Sequence, residues 1–187
     1  MKGIKTNPAA TNLKIILRQK IPSGESIDNF LFFFAGHGII NRELRDCLIP
    51  SDGEISIPDS LVTIDFVVDC LRDLHGIKNI VLVLDMCRGF SPPDRDSGML
   101  GAETETLTKQ KGIVTIFACQ RNHKSYEIED AEIRHGAFTY CLLQGLRQHT
   151  ILKSLDVYLR RELPKLTQKY QQPQTPLIIC GAVLQTR

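Results

Sequence analysis

Six consecutive apolar residues, Phe30-Leu-Phe-Phe-Phe-Ala35, constrain this chain more than any other feature. An amphipathic helix or a half-exposed strand would interrupt such a run with polar side chains. A strand covered on both faces tolerates it, and such strands belong to mostly parallel sheets sandwiched between helices. Ile80 to Leu84 and Ile113 to Cys119 repeat the signal. Between them, residues 61, 64, 67, 68, 71 and 74 form an apolar helical stripe over Leu61 to Leu74. Helices are also expected over 12–19, 136–146 and 152–169, the last bent or broken at Pro164. A short strand is expected over 46–50 and a closing one over 176–180. The polar stretch 90–112, rich in Gly, Pro, Asp and Thr, reads as a long mobile loop. The predicted fold class is α/β, in three layers around a mostly parallel sheet, with residues 1–187 forming one domain.

Two of the apolar runs end in residues with chemistry. The first ends Phe34-Ala-Gly-His37-Gly38 and the second ends Leu84-Asp85-Met86-Cys87-Arg88-Gly89. Parallel neighbouring strands place their carboxyl ends side by side, where open α/β sheets gather active residues. His37 and Cys87 are then expected at one rim. A thiolate is a strong nucleophile, and an imidazole beside it supplies the base or holds a proton for the leaving amine. The backbone N–H groups of Gly38 and Cys87 are the natural donors of an oxyanion hole. Alone, Cys87 reads as a core cysteine and His37 as a loop or capping residue. Their joint position at two strand ends favours a catalytic dyad.

The spacing also carries a resemblance. Caspases are marked by Q-A-C-[RQG]-G with a histidine about 50 residues upstream. Here Asp85-Met-Cys87-Arg-Gly89 follows His37 by 87 − 37 = 50 positions. The chain resembles the caspase-like cysteine peptidases of the metacaspase, paracaspase and bacterial orthocaspase branch. Phe-Phe-Ala-Gly-His-Gly (33–38), Leu-Asp-Met-Cys-Arg (84–88), Ser-Tyr-Glu (125–127) and His-Gly-Ala-Phe-Thr-Tyr (135–140) carry the likeness. The stretch from Tyr158 to Pro176 looks most like the cyanobacterial members. The resemblance implies a caspase-like sandwich that lacks the family's opening strand, helix and strand, and therefore a truncated domain.

It also implies a specificity. Caspases carry Ser-Trp-Arg where this chain has Ser125-Tyr126-Glu127, and that arginine binds an aspartate. Glu127 inverts the charge, and Asp85 stands where caspases have glutamine. Both carboxylates would bind a substrate arginine or lysine by charge-assisted hydrogen bonds, so cleavage is expected after Arg or Lys in a protein or peptide substrate. A solvated loop carboxylate is the plainer reading of Glu127, which stands in the acidic run Glu127, Glu129, Asp130 and Glu132. Arg95, Lys109 and Lys111 are candidate self-cleavage sites. No cofactor or metal is expected. Some relatives need calcium, and Asp52 and Asp65 lie roughly where such carboxylates fall, although a turn explains Asp52 better. The alternative of a different class is a non-catalytic caspase-like interaction module, or a remnant subunit that works with another chain.

Composition narrows the rest. The net charge of +2 and the lack of an arginine-rich helix give no reason to expect a nucleic-acid partner. No apolar stretch is long enough for a membrane span or a signal peptide, so a cytoplasmic protein is expected. The six cysteines include no C-x-x-C pair, which argues against zinc, and a disulfide framework is not expected. A tyrosine phosphatase needs arginine six residues past its cysteine, and position 93 is proline. Neither G-x-S-x-G nor H-E-x-x-H occurs.

Overall fold

A computed structural model describes residues 7–21, 27–75, 77–88, 100–128 and 136–181. Strand β1 (Asn29–Ala35) pairs in parallel with β5 (Asn79–Asp85), and β5 with β6 (Val114–Phe117). Strand β7 (Leu177–Cys180) closes the four-stranded sheet antiparallel to β6. The order is β1-β5-β6-β7. A second, antiparallel sheet joins β2 (His37–Ile40), β3 (Asp46–Ile49) and β4 (Val62–Thr63).

Alternation along the strands divides the interior into two cores. Ile80, Leu82 and Leu84 point to the side of helix α1 (Ala10–Ile15) and helix α2 (Ile64–Asp69), meeting Leu17, Val67, Val68 and Leu71. Val83, Val114 and Ile116 point the other way, onto Phe138, Leu142, Leu155, Leu159 and Leu163. Those residues lie on helix α4 (Ala137–Gln148) and helix α5 (Leu152–Gln168). The three-layer α/β arrangement read from the sequence is therefore the observed one.

Four expectations need correction. First, β1 is not covered on both faces. Phe30, Phe32 and Phe34 pack into the α1–α2 core, while Leu31 is 51% exposed and Phe33 42% exposed at the end of the sheet. Second, Ala102–Lys111 is not loop but helix α3. Its buried residues are Thr104, Glu105 and Thr108, so it has no apolar stripe to reveal it. The rest of the expected loop, 89–99 with Arg95, lies outside the described residues. Third, the stripe from Leu61 is helical only from Ile64. Val62 and Thr63 form a strand, and the Thr63 hydroxyl then accepts from the Phe66 N–H to start α2. Wider turns continue α1 over Ile16–Lys20 and α2 over Cys70–Leu74. Fourth, α5 runs unbroken through Pro164.

Helix α3 is held by polar contacts instead. The Asp46 carboxylate, buried in β3, accepts from the N–H groups of Gly101 and Thr104 at 2.9 and 2.8 Å, and from the Thr104 hydroxyl at 2.6 Å. These are bonds a capping side chain would make, delivered from another element. Arg45 pairs with both Glu103 and Asp65 beside them. Asp65 is thus engaged with a guanidinium. Asp52 accepts from the Ala10 N–H at 2.7 Å, so it caps α1 across the fold.

Candidate active site

The register of β1 on β5 ends with Ala35 opposite Asp85, and the Gly36 N–H donates to the Asp85 carbonyl at 3.1 Å. His37 and Cys87 each follow that last pair by two residues. Both therefore emerge at the same carboxyl rim, as parallel pairing of two apolar runs requires. His37 opens β2 and its side chain is exposed. Gly38 follows under Met86: a Cβ on residue 38 would lie 2.5 Å from the Met86 sulfur. That contact brings the His37 segment against the residue before Cys87.

Cys87 is half-buried, and its described hydrogen bonds run to Ser125 rather than to His37. The Ser125 N–H donates to Sγ at 3.3 Å, and the thiol donates to the Ser125 carbonyl at 3.5 Å. Burial pushes the Cys47, Cys119 and Cys141 thiols up to about 12, and raises Cys70 and Cys180 as well.

The backbone at Cys87 is anchored by the next residue, Arg88, whose side chain is fully buried. Its guanidinium pairs with Glu105, donates to the Leu100 and Cys119 carbonyls, and lies 4.0 Å from the centre of the Phe117 ring. Arg121 grips both oxygens of Glu105, sharing Oε1 with Arg88. Gly101, at φ +91°, lies against the guanidinium, where a Cβ would come within 2.6 Å. A positive φ and a blocked side-chain direction both demand glycine there.

Asp85 is 8% exposed. The Ser125 hydroxyl donates to its Oδ1 at 2.6 Å and the Thr139 hydroxyl donates to its Oδ2. Glu127 is exposed and forms an isolated antiparallel bridge with Gly136, where a Cβ would lie 3.3 Å from Asp85 Oδ2. The residues expected to act together, His37, Gly38, Asp85 and Cys87, thus share one rim, and Glu127 joins the border of Asp85 through Gly136. The rest of the acidic run, 129–132, lies outside the described residues. Lys109 and Lys111 sit on α3, and Lys111 pairs with Asp69 and Asp73, so neither offers an extended cleavage segment.

Sequence reasoning named no role for Ser125, Thr139 or Gln174. Ser125 and Thr139 stand inside the motifs that carried the resemblance. Gln174 lies in a polar stretch between α5 and β7 with no signal of its own. Among the described residues no group of three or more His, Cys, Asp or Glu side chains is arranged to hold a metal. None of their helices is long and apolar enough to cross a membrane.

Comparison with known proteins places this arrangement. The caspase domain model, Peptidase_C14, matches residues 3–182. A curated protein of a Desulfuromonadales bacterium, named "Probable protease", is 25% identical over 154 residues. That match covers 78% of this chain and 18% of the relative, so the chain spans less than a fifth of that protein. The crystal structure of caspase-1 from Spodoptera frugiperda superposes with a TM-score of 0.53 at 14% identity, covering 95% of this chain and 70% of that one. That likeness is one of fold.

Proposed function

Since the chain belongs to the caspase domain family of cysteine-type peptidases, we propose that it cuts peptide bonds after arginine or lysine, with Cys87 as nucleophile and His37 as proton carrier. The supporting observation is the shared register end of β1 and β5, which brings both residues to one rim. The Cys87 thiolate attacks the scissile carbonyl carbon, and the carbonyl oxygen takes up the negative charge. The Gly38 and Cys87 N–H groups stabilise that oxygen. His37, having taken the thiol proton, gives it to the leaving amine, and the C–N bond breaks to leave a thioester on Cys87. Water, deprotonated by His37, then attacks the thioester and releases the acid and the thiolate. The exposed His37 ring turns toward Cys87 when substrate binds, since catalytic hydrogen bonds commonly close only in the complex.

Asp85 and Glu127 receive the basic side chain. Asp85 accepts one hydroxyl on each oxygen, and each oxygen keeps a further lone pair for an N–H donor of the substrate. The reaction needs no cofactor. Six free thiols suit a reducing compartment such as the cytoplasm.

Fluorogenic peptides ending in arginine, lysine or aspartate test the reading. The arginine and lysine peptides are cut by the parent and left intact by Cys87→Ala and His37→Ala. Asp85→Asn lowers kcat/KM for them by about tenfold or more, the loss expected when a charge-assisted bond becomes a neutral one. Cleavage after aspartate, or activity retained in Cys87→Ala, overturns the proposal.

A further inference from the structure

Gln174 is 1% exposed, and every polar atom of its side chain is used. Its Nε2 donates to the Ala118 carbonyl at 2.9 Å and to the Ser125 hydroxyl oxygen at 3.1 Å. Its Oε1 accepts from the Tyr126 N–H at 3.1 Å. Its own N–H donates to the Thr167 hydroxyl in α5 at 3.1 Å. One residue, through its side-chain amide and its backbone N–H, therefore ties the end of β6 and the C-terminal half of α5 to Ser125 and Tyr126.

Ser125 is where those ties meet the site. Its N–H reaches the Cys87 sulfur and its hydroxyl reaches Asp85. The hydroxyl has one proton, and its two neighbours agree on where it goes, since the Asp85 carboxylate can only accept. Nε2 is a donor only, so the Ser125 oxygen accepts from it and its proton is left to point at Asp85. The Tyr126 N–H, fixed by Oε1, sets the peptide plane that follows Ser125. Loss of Gln174 frees that peptide and removes one of the two groups that orient the hydroxyl.

Resting on the reading of Cys87 and Asp85 given above, we propose that Gln174 is a positioning residue that, through Ser125, aims one hydrogen bond at the nucleophile's sulfur and another at the substrate-binding carboxylate. Sulfur that loses an N–H donor holds less of its charge as thiolate and reacts more slowly. A carboxylate that loses its hydroxyl partner is less well aimed at a basic side chain. The two effects have one origin but separate readouts.

The test uses Gln174→Met, which keeps the length and removes every side-chain hydrogen bond. Ser125→Ala removes the hydroxyl and keeps the N–H. Cys87 alkylation by iodoacetamide, mapped by peptide mass, reports the thiol with no peptide substrate involved. An arginine-ended fluorogenic peptide reports KM and kcat, normalised to sites titrated with an arginine chloromethyl ketone. Gln174→Met is expected to slow alkylation about fivefold and raise KM about tenfold, the range of one or two lost hydrogen bonds to charged groups. Ser125→Ala is expected to raise KM alone. A purely structural role would lower the number of titratable sites and leave both rates per site unchanged, and that result overturns the proposal. If Gln174→Met does not fold, Gln174→Asn, one methylene short of Ser125, carries the same comparison. Should the parent cut no basic peptide, the peptidase reading fails, and the alkylation rate alone decides the role of Gln174.

Discussion

The Gly38 backbone and the Met86 side chain are in such close contact that no side-chain carbon fits between them. Met86 is almost completely buried, and the Leu100 side chain crowds the same spot beside Gly38, so there is little room to yield. Gly38→Ala should cost about 1–3 kcal/mol, as overpacking does, and should push the His37 and Cys87 segments apart. Urea unfolding checks the stability loss. A lower kcat on an arginine peptide at saturating concentration checks the displacement. Unchanged values for both would mean that the contact relaxes freely.

Arg88 anchors the chain beside Cys87 only while Glu105 answers it. Arg88→Ala leaves Glu105 beside a cavity with Arg121 as its remaining partner. Removing one member of a buried pair costs about 3–5 kcal/mol. Glu105→Gln strands the buried guanidinium, and a loss of similar order is expected. The double variant should lose clearly less than the two single losses added together, because both remove one interaction. A double-mutant cycle in urea measures this, and additivity would contradict the coupling.

Glu105 also predicts how stability responds to acid. Burial works to raise its pKa, but hydrogen bonds from Arg121 and Arg88 outweigh burial and hold it below its ordinary value of 4.5. Between the lowered folded value and 4.5, the unfolded chain binds more protons than the folded one. The contribution is therefore complete above the unfolded value and is lost as pH falls through the folded one. The stability gap between the parent and Glu105→Gln should be constant near neutrality and shrink below about pH 4.5. Urea midpoints from about pH 7 to about pH 3 follow it. A gap that widens in acid would reverse the sign.

The thiols separate by reactivity. Cys47, Cys119 and Cys141, raised to about 12, remain protonated at neutral pH, and burial bars reagents as well. A limiting amount of iodoacetamide should label Cys87 first, and these three only after unfolding in urea. Mass mapping of the labelled peptides decides it. Early label on Cys119, whose thiol donates to the Met86 carbonyl just before Cys87, would show that this segment opens in solution.

The sheet and the shared rim of His37 and Cys87 were legible because both depend on strong, local signals. Unbroken apolar runs mark β1, β5 and β6, and strand ends follow from where those runs stop. The exposure of Leu31 and Phe33 was not legible, since the same apolar letters describe a central strand and an edge one. Strand β2 was missed because it begins one residue after the glycine that ends β1. Helix α3 was missed because it buries threonines and a glutamate, whose partners Asp46, Thr115 and Arg88 come from elsewhere. The surroundings of Asp85 were half legible. Its charge stood in the Asp-Met-Cys motif, but its partners Ser125 and Thr139 come from 40 and 54 residues further on, and no local pattern encodes that meeting.

Asp46 and α3 share a fate that neither segment shows alone. The ten residues Ala102–Lys111 begin after a glycine with no capping side chain, too short and too polar to persist as a helix in water by themselves. Their first turn is completed by a carboxylate on a strand 55 residues earlier. Neutralising that carboxylate, as in Asp46→Asn, should therefore be felt in the helix before it is felt in the strand. Because Leu100 and Glu105 also hold Arg88, the loosening would travel on to the turn that presents the thiol.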